Sequence, residues 1–393
     1  MRPDHELTIE TVAVHGDERR PRPEGSLVFP IYQGTVYAVE PGTDYHDIRY
    51  HRLSTTPSQL DLHARLAALE GGEAAVATAS GMAAITTTLL SLLRAGDHVL
   101  ASDCLYGGTH DFLTQHAEDL GWSCGFVDTQ RPETWAAAVT PSTRVFLLET
   151  ISNPLVRVPR LPEVVAFAHA HGLVTVIDNT FATPVNFRPL AAGFDLVCHS
   201  ATKYLNGHSD LVAGCVVASA ERIGRVRTAL NHYGGALDPH AGYMLARGLR
   251  TLALRVAAQN ANAAALARFL NEHPRVLQVN HPSLPAHPDH THAAELLSGF
   301  GGMLSLRLQG GAAATQRLLE ALTIATVAPS LGGVESLATV PAQTSHAGMS
   351  PEERERIGVT DDLVRVSCGI EGSEDLVADF ARALDVASVP AAA

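Results

Sequence analysis

Short apolar runs alternate with amphipathic stretches along most of this chain. Between residue 56 and about residue 220 the runs His98–Ala101, Val145–Glu149, Val174–Asp178, Leu196–His199 and Cys215–Ala218 read as strands. Helical patterns near 81–94, 110–120 and 162–171 separate several of them. Strand and helix in turn, with strands apolar on both faces, predict βα units and a mostly parallel sheet covered on both sides. The first helix of this region starts cleanly. Thr56 is its N-cap, Pro57 its first residue and Gln59 the closing member of a capping box, and Gly71-Gly72 ends it.

The rhythm changes farther along. Residues 240–270 are Ala-rich, contain no proline and predict one long helix that carries Arg247, Arg250 and Arg255. After His273-Pro274, strands Gly302–Leu308 and Leu363–Ser367 alternate with helices near 312–321, 351–357 and 374–385. The helix at 351 has its own capping box, Ser350-Pro351-Glu352-Glu353. This part predicts a smaller α+β domain. Residues 1–55, rich in Pro, Gly, Tyr and Arg with little periodicity, read as an arm that lies on something else. The expected division is an arm over 1–55, an α/β domain over 56–250 and an α+β domain over 251–393. The segment 281–292 concentrates His281, His287, His290 and His292. It reads as a solvated loop rather than a metal site, since Pro-rich loops seldom hold ligands in fixed geometry.

Composition narrows the function classes. With 393 residues, 46% of them apolar and 18% charged, the chain fits a globular protein of two domains. A formal charge of −13 disfavours nonspecific binding to nucleic acid or to an anionic membrane. No run approaches the roughly 18–20 apolar residues of a membrane span, and the N-terminus lacks a signal-type apolar stretch. Five cysteines, an odd number without C-x-x-C spacing, point away from a disulfide framework and toward a reducing cytoplasm.

One residue stands apart chemically. Lys203 is the only lysine; every other basic side chain apart from histidine is arginine. A primary amine can lose its proton, attack a carbonyl and form a Schiff base, which a guanidinium cannot. Lys203 follows the strand Leu196–His199 in Ser200-Ala201-Thr202-Lys203, between hydroxyls suited to phosphate oxygens. Asp178 ends another strand, where ligands of open α/β sheets collect. There it could pair with a protonated ring nitrogen or serve a turn. Thr78-Ala79-Ser80-Gly81-Met82 opens a helix whose free N–H groups favour an anion. Tyr106, just after a strand, could stack on a planar cofactor or simply pack. Arg365, inside a strand-like run, needs a carboxylate partner from the protein or from a substrate. Amine, acid, anion cradle, aromatic face and arginine together meet the needs of pyridoxal phosphate (PLP) and an amino-acid substrate. No H-E-x-x-H, Walker A loop or G-x-S-x-G elbow competes with this set.

At this point the chain resembles the Cys/Met-metabolism (trans-sulfuration) family of PLP-dependent enzymes, from about Tyr32 to Leu384. The resemblance rests on LAALEGGEAAVATASGMAAI, DCLYGGT, ISNPL, VIDNTFATP, HSATKYLNGHSD, APSLGGVESL and LVRVSCGIE, in family order. It implies a fold-type I, aspartate-aminotransferase-like α/β subunit with a seven-stranded, mostly parallel sheet. It also implies a homotetramer made of two tight dimers with shared active sites. By resemblance, Lys203 is the Schiff-base lysine, Asp178 the partner of the pyridine nitrogen and Tyr106 the stacking tyrosine. Gly81, Met82, Ser200 and Thr202 hold the phosphate, and Asn153, Ser330 and Arg365 form the substrate-carboxylate region. Tyr50 and Arg52 match a Tyr-x-Arg pair that reaches the neighbouring subunit's phosphate.

The chain also departs from the family pattern. The usual Y-x-R-x-x-N-P-T is one residue longer here and lacks its Asn (Tyr50 to Ser58), which makes Arg49 a rival for the phosphate. Pro329 precedes Ser330 where many cystathionine γ-lyases and bacterial γ-synthases have Glu. Plant-type γ-synthases share Ala-Pro-Ser. Gly108 stands where methionine γ-lyases usually have Cys. The resulting expectation is a γ-replacement that joins cysteine to an O-activated homoserine, with Lys203, Tyr106 and Asp178 as the catalytic groups. The alternatives are γ- or β-elimination, as in cystathionine γ-lyase, methionine γ-lyase or cystathionine β-lyase, and a non-catalytic PLP-binding regulatory protein.

Overall fold

The computed structural model describes residues 7–16 and 23–387. In it the apolar runs of the first half form one seven-stranded sheet. The strands are β1 (Ala74–Thr78), β2 (His98–Ser102), β3 (Ser123–Val127), β4 (Thr143–Glu149), β5 (Val174–Asp178), β6 (Leu196–His199) and β7 (Gly214–Ala218). Their spatial order is β1-β7-β6-β5-β4-β2-β3. β2 to β6 pair in parallel, and β7 runs against both of its neighbours, β1 and β6. Side chains that alternate along each strand feed two apolar layers. Phe146, Leu148, Ile177 and Val197 pack under the helices Pro57–Glu70 and Leu161–Ala170. Val145, Leu147, Val176 and Leu196 pack under Gly81–Leu92 and Ala220–Tyr233. This is the mostly parallel, doubly covered sheet that the alternation predicts.

A second sheet of five strands follows: β8 (Val276–Asn280), β9 (Met303–Leu308), β10 (Thr326–Val327), β11 (Leu337–Thr339) and β12 (Val364–Ser367). Its order is β10-β11-β12-β9-β8, and all pairs but β10–β11 are antiparallel. Leu304, Leu306, Val364 and Val366 pack against Leu266 and Leu270, Leu318, and Phe380 and Leu384 from three helices, Leu252–Glu272, Gly311–Ala321 and Ser373–Ala387. Among the described residues no helix is long and apolar enough to cross a membrane.

Two expectations need correction. Residues 240–270 form two helices, Pro239–Leu249 and Leu252–Glu272, not one. Arg255 Nη2 donates to the Gly248 carbonyl at 2.8 Å, so a side chain takes over an oxygen at the end of the first helix. The histidine-rich segment is not a solvated loop. His281 and His287 are buried, and His290 opens the short helix His290–Leu296. Asp289 accepts from Arg157 Nε at 2.6 Å and from the Val158 N–H at 3.0 Å, and His292 Nε2 lies 2.7 Å from the Val158 oxygen. The segment straps the second half of the chain to the loop after β4. The capping boxes predicted at 56 and 350 are both present; the Thr56 N–H reaches Gln59 Oε1 at 3.1 Å and the Ser350 N–H reaches Glu353 Oε2 at 2.8 Å.

Candidate active site

Parallel strands leave their carboxyl ends on one edge of the first sheet, and a cavity of about 610 Å³ opens there. β4 delivers Glu149 to it and β5 delivers Asp178, which are register partners across adjacent strands. The turn after β6 brings Ser200, Thr202 and Lys203, the loop after β2 brings Tyr106, and Gly81 and Met82 come from the start of the 81–92 helix. Asn153 enters from the loop after β4, and Ser330 and Arg365 cross over from the second half of the chain. The structure thus gathers all of these predicted residues around one space. Tyr50 and Arg52 are not part of the lining. Arg52 Nη1 donates to the Asn231 carbonyl at 3.1 Å, and its guanidinium lies 5.5 Å from the centre of the Tyr50 ring. The rival Arg49 is exposed.

Lys203 Nζ donates to Ser330 Oγ at 2.7 Å. Burial, assisted by the Arg365 charge, brings this amine down to about 8. A substantial fraction is then neutral near physiological pH, as a nucleophile or proton carrier requires. Ser330 has a left-handed backbone, φ 87°. That conformation is costly for a residue with a side chain. It turns the Ser330 carbonyl to Arg365 Nη2 at 2.9 Å while the hydroxyl faces the lysine. Arg365 Nη1 donates to Asn153 Oδ1 at 3.1 Å. No carboxylate forms an ion pair with this buried guanidinium among the described residues. The choice left open by the sequence, protein acid or substrate acid, thereby narrows: the charge is held by neutral oxygens and stays available to an incoming carboxylate.

Glycines shape the floor. A Cβ on Gly81 would lie 2.6 Å from Ser200 Cβ, so only glycine lets the helix start and the β6 turn approach this closely. Ser80 caps the helix, its Oγ accepting from the Ala83 N–H at 3.0 Å, and the N–H groups of Gly81 and Met82 lie outside the helical ladder. Thr202 Oγ1 bonds both the carbonyl and the N–H of Ala213, at 3.1 and 3.0 Å, and so pins the lysine turn to the chain entering β7. A Cβ on Gly108 would lie 2.6 Å from the Tyr106 ring, so this glycine gives that ring its place.

The sequence reading missed several contributors. Glu149 accepts from the Tyr106 N–H at 2.6 Å and anchors the chain that carries the ring. Burial first, and Asp178 second, push its carboxyl well above the ordinary range. Thr180 donates its N–H and O–H to Asp178 Oδ1 and accepts from the Ser200 N–H at 2.8 Å. Arg255, placed by sequence only within a helix, donates to the carbonyls of Tyr204 and Leu205 at 2.7 and 3.3 Å and steadies the lysine turn from behind. Glu149 ends a strand read from the sequence and Thr180 lies inside VIDNTFATP, two residues after Asp178, so both could have been found that way. Arg255 carried no such signal.

The donor set fits PLP. An amine of lowered basicity faces the cavity, a half-buried carboxylate with no arginine or lysine partner among the described residues stands at a strand end, and a helix start is cleared by glycine for an anion. Fold and site together define a fold-type I PLP enzyme. Comparison with known proteins makes this specific. The family described as Cys/Met metabolism PLP-dependent enzyme matches residues 10–385. The chain is 40% identical to the cystathionine gamma-lyase of Bacillus subtilis, over 96% of this chain and 99% of that protein. It is 42% identical to the L-methionine gamma-lyase of Pseudomonas putida, over 92% and 93% respectively. The crystal structure of the cystathionine gamma synthase of Xanthomonas oryzae pv. oryzae in complex with cystathionine superposes with a TM-score of 0.94 at 38% identity, covering 98% of this chain and 99% of that one. The protein belongs to the Cys/Met-metabolism family of PLP-dependent enzymes. It is a carbon–sulfur transferase or lyase acting on small amino acids, and its cofactor is PLP.

Proposed function

We propose that this enzyme catalyses a γ-replacement, joining cysteine to an O-activated homoserine to give cystathionine and the released acid. The observation that carries this reading is the wall beside Ser330. The acids lining the cavity are Glu149 and Asp178, both at strand ends, and Pro329 forms the wall next to Ser330. Cystathionine has two ammonium groups and meets no carboxylate among the described residues at that wall for the second. An activated homoserine carries one. Such a wall weighs against uptake of cystathionine as an elimination substrate and leaves an activated homoserine unaffected, though the incoming cysteine meets it with its own ammonium; plant-type γ-synthases share the Ala-Pro-Ser sequence there. The likeness to a γ-synthase solved with cystathionine agrees with this. The second reading is elimination, in which water rather than a thiol completes the reaction; the Bacillus and Pseudomonas relatives, both lyases, favour it.

In either reaction PLP supplies an aldehyde for the substrate amine and a protonated ring that draws electrons from Cα. Arg365, with Asn153 and Ser330 beside it, orients the substrate carboxylate. Lys203 Nζ takes the Cα proton and carries protons between substrate carbons. When PLP is bound, Asp178 would pair with the ring nitrogen, Tyr106 would pack on the ring, and Gly81, Met82, Ser200 and Thr202 would hold the phosphate. Ile151, Phe181 and Leu331 line the same cavity with apolar surface that limits water. In replacement the Cγ–O bond breaks, the acyl carboxylate leaves, and the cysteine thiolate forms the Cγ–S bond.

The assembly proposed is a cytoplasmic homotetramer of paired dimers. Of the arm expected over 1–55, the helix Ile9–His15 packs on the 57–70 and 252–272 helices of its own subunit; the part that follows extends Tyr50 and Arg52 to the neighbouring subunit's phosphate, with the α/β domain over 56–250 and the α+β domain over 251–393. In the arm Leu27, Val28, Val36, Val39 and Tyr45 are exposed apolar surface, which a second subunit would cover. Five free cysteines suit a reducing compartment. The deciding experiment offers the purified enzyme O-acetyl- or O-succinylhomoserine with cysteine, and separately cystathionine or methionine alone. Cystathionine formation in the first mixture that outpaces 2-oxobutyrate and ammonia from all others is the expected result. Faster elimination from cystathionine or methionine would replace this reading with the second.

A further inference from the structure

Behind Asp178 lies a buried ionisable pair to which the roles above give no task. Glu70 ends the 57–70 helix and His199 ends β6; their side chains are only 2% and 1% exposed. His199 Nε2 meets Glu70 Oε1 at 2.5 Å. The same oxygen accepts from Asn179 Nδ2 at 2.9 Å, and Asn179 Oδ1 accepts from Thr150 Oγ1 at 2.8 Å. The Thr150 N–H donates to the Asp178 carbonyl at 3.0 Å, and the Asn179 N–H donates to the Cys198 carbonyl at 2.9 Å. The main chain around Asp178 is therefore tied to the Glu70 carboxylate through Asn179. Glu70 Oε2 and His199 Nδ1 have no hydrogen-bond partner among the described residues. For stability alone this is a poor arrangement, since apolar side chains of similar volume would fill the space without the cost of desolvating charge. It makes sense where a neighbouring group needs the charge.

Asp178 is that neighbour. Burial works against its ionised form, while the Thr180 O–H and N–H and the charge on His199 work for it. On the β4 side Glu149, its register partner, faces the same cavity, and two adjacent carboxylates oppose each other's ionisation. Cys198 on β6 and Cys215 on β7 are enclosed thiols, pushed up by burial and so neutral. Lys203 lines the cavity, where its amine serves the reaction. From inside the fold, the group that favours the ionised form of Asp178 is His199, whose ring is held by Glu70.

We propose that Glu70 and His199 are positioning residues for the cofactor: the pair keeps Asp178 ionised and fixed against the pyridine nitrogen, and so sets how strongly the ring draws electrons. This rests on the reading of Asp178 as the partner of that nitrogen. The test reconstitutes wild type, Asp178→Asn, Glu70→Gln and His199→Gln with PLP labelled by nitrogen-15 in the ring. It reads the nitrogen chemical shift and the cofactor dissociation constant from mildly acid to mildly alkaline pH. Glu70→Gln preserves size and hydrogen bonding while removing the charge, so it decides alone if His199→Gln fails to fold. The expected result is a protonated ring nitrogen in wild type. In both pair variants the signal moves toward neutral pyridine and cofactor binding weakens about ten-fold. A merely structural pair would lower the melting temperature and leave the nitrogen shift where it was, which overturns the inference. If the shift moves in Asp178→Asn but in neither pair variant, the inference fails and the role of Asp178 stands. If it does not move in Asp178→Asn, the reading of Asp178 itself is wrong.

Discussion

At the scale of single residues, the site depends on charges held in unfavourable surroundings. Lys203 has an ordinary value of 10.5 and is brought down to about 8 by burial and by Arg365. The folded state therefore binds fewer protons at this group than the unfolded state between those values, and stability rises with pH across that window. In the cofactor-free protein the melting temperature of wild type should climb relative to Lys203→Met from about pH 8 upward, and Lys203→Met should be the more stable form at pH 7. Parallel melting curves for the two would refute this. The same substitution should abolish turnover, and borohydride reduction of the wild-type holoenzyme should place the pyridoxyl label on the peptide containing Lys203. In the proposed γ-replacement, Pro329 bears on the choice of substrate. Pro329→Glu puts a carboxylate at the cavity wall and should lower KM for cystathionine about five-fold, or about 1 kcal/mol for a partly exposed ion pair, with little change in KM for an activated homoserine. Steady-state kinetics on both substrates checks it.

At the scale of elements, strand ends and helix starts were legible because short-range patterns set them. The run Val174–Asp178 and the Thr56 capping box both stand where the alternation and the cap residues predict. β1, β3, β8, β10 and β11 were not legible. β1 is the Ala-rich AAVAT, poor in β-branched residues, and it is a strand because β7 pairs with it. β10 is two residues long and pairs only with β11. The break between the 239–249 and 252–272 helices hid for a similar reason, since the Arg255 bond to Gly248 follows from folding around the lysine turn. Arg255→Met would leave three carbonyl oxygens, those of Gly248, Tyr204 and Leu205, without this donor. It should cost at least about 3 kcal/mol and weaken cofactor retention, read by denaturant melts and dialysis. In the second half, Asp379 of the 373–387 helix accepts from the Thr323, Ile324 and Ala325 N–H groups and from Arg382. Burial alone would raise its carboxyl, but the bonds from Thr323 and Ile324, with Arg382, bring it down to about 2. A lowered carboxyl contributes stability that is fully present above about 3.8 and lost as pH falls through about 2. Asp379→Asn should therefore destabilise by about 1–3 kcal/mol at pH 7, a difference that shrinks on acidification below pH 4 and disappears near pH 2. Thermal melts over that range measure it.

At the scale of the whole molecule, the cavity on one subunit holds the predicted residues except Tyr50 and Arg52, which lie elsewhere on the same chain. If these two act across a subunit boundary, two inactive variants repair each other when mixed. Lys203→Ala and Arg52→Ala subunits, denatured together and refolded, should recover about a quarter of wild-type activity, since that share of shared sites is intact when the two associate at random. No recovery would confine each site to its own chain. The sequence by itself determined the chemistry: one amine, an acid at a strand end, a capped helix start and the order of motifs around them. Local periodicity and cap residues suffice for these. Only the tertiary structure decided that Arg365 is held by Asn153, 212 positions away, with no acid paired to it among the described residues. The same holds for the burial of the histidine-rich strap and for the enclosure of Glu70 with His199, 129 positions apart, beneath Asp178. The reason is physical. Burial and charge pairing depend on which distant segments the fold brings together, and a pattern read along the chain records only neighbours.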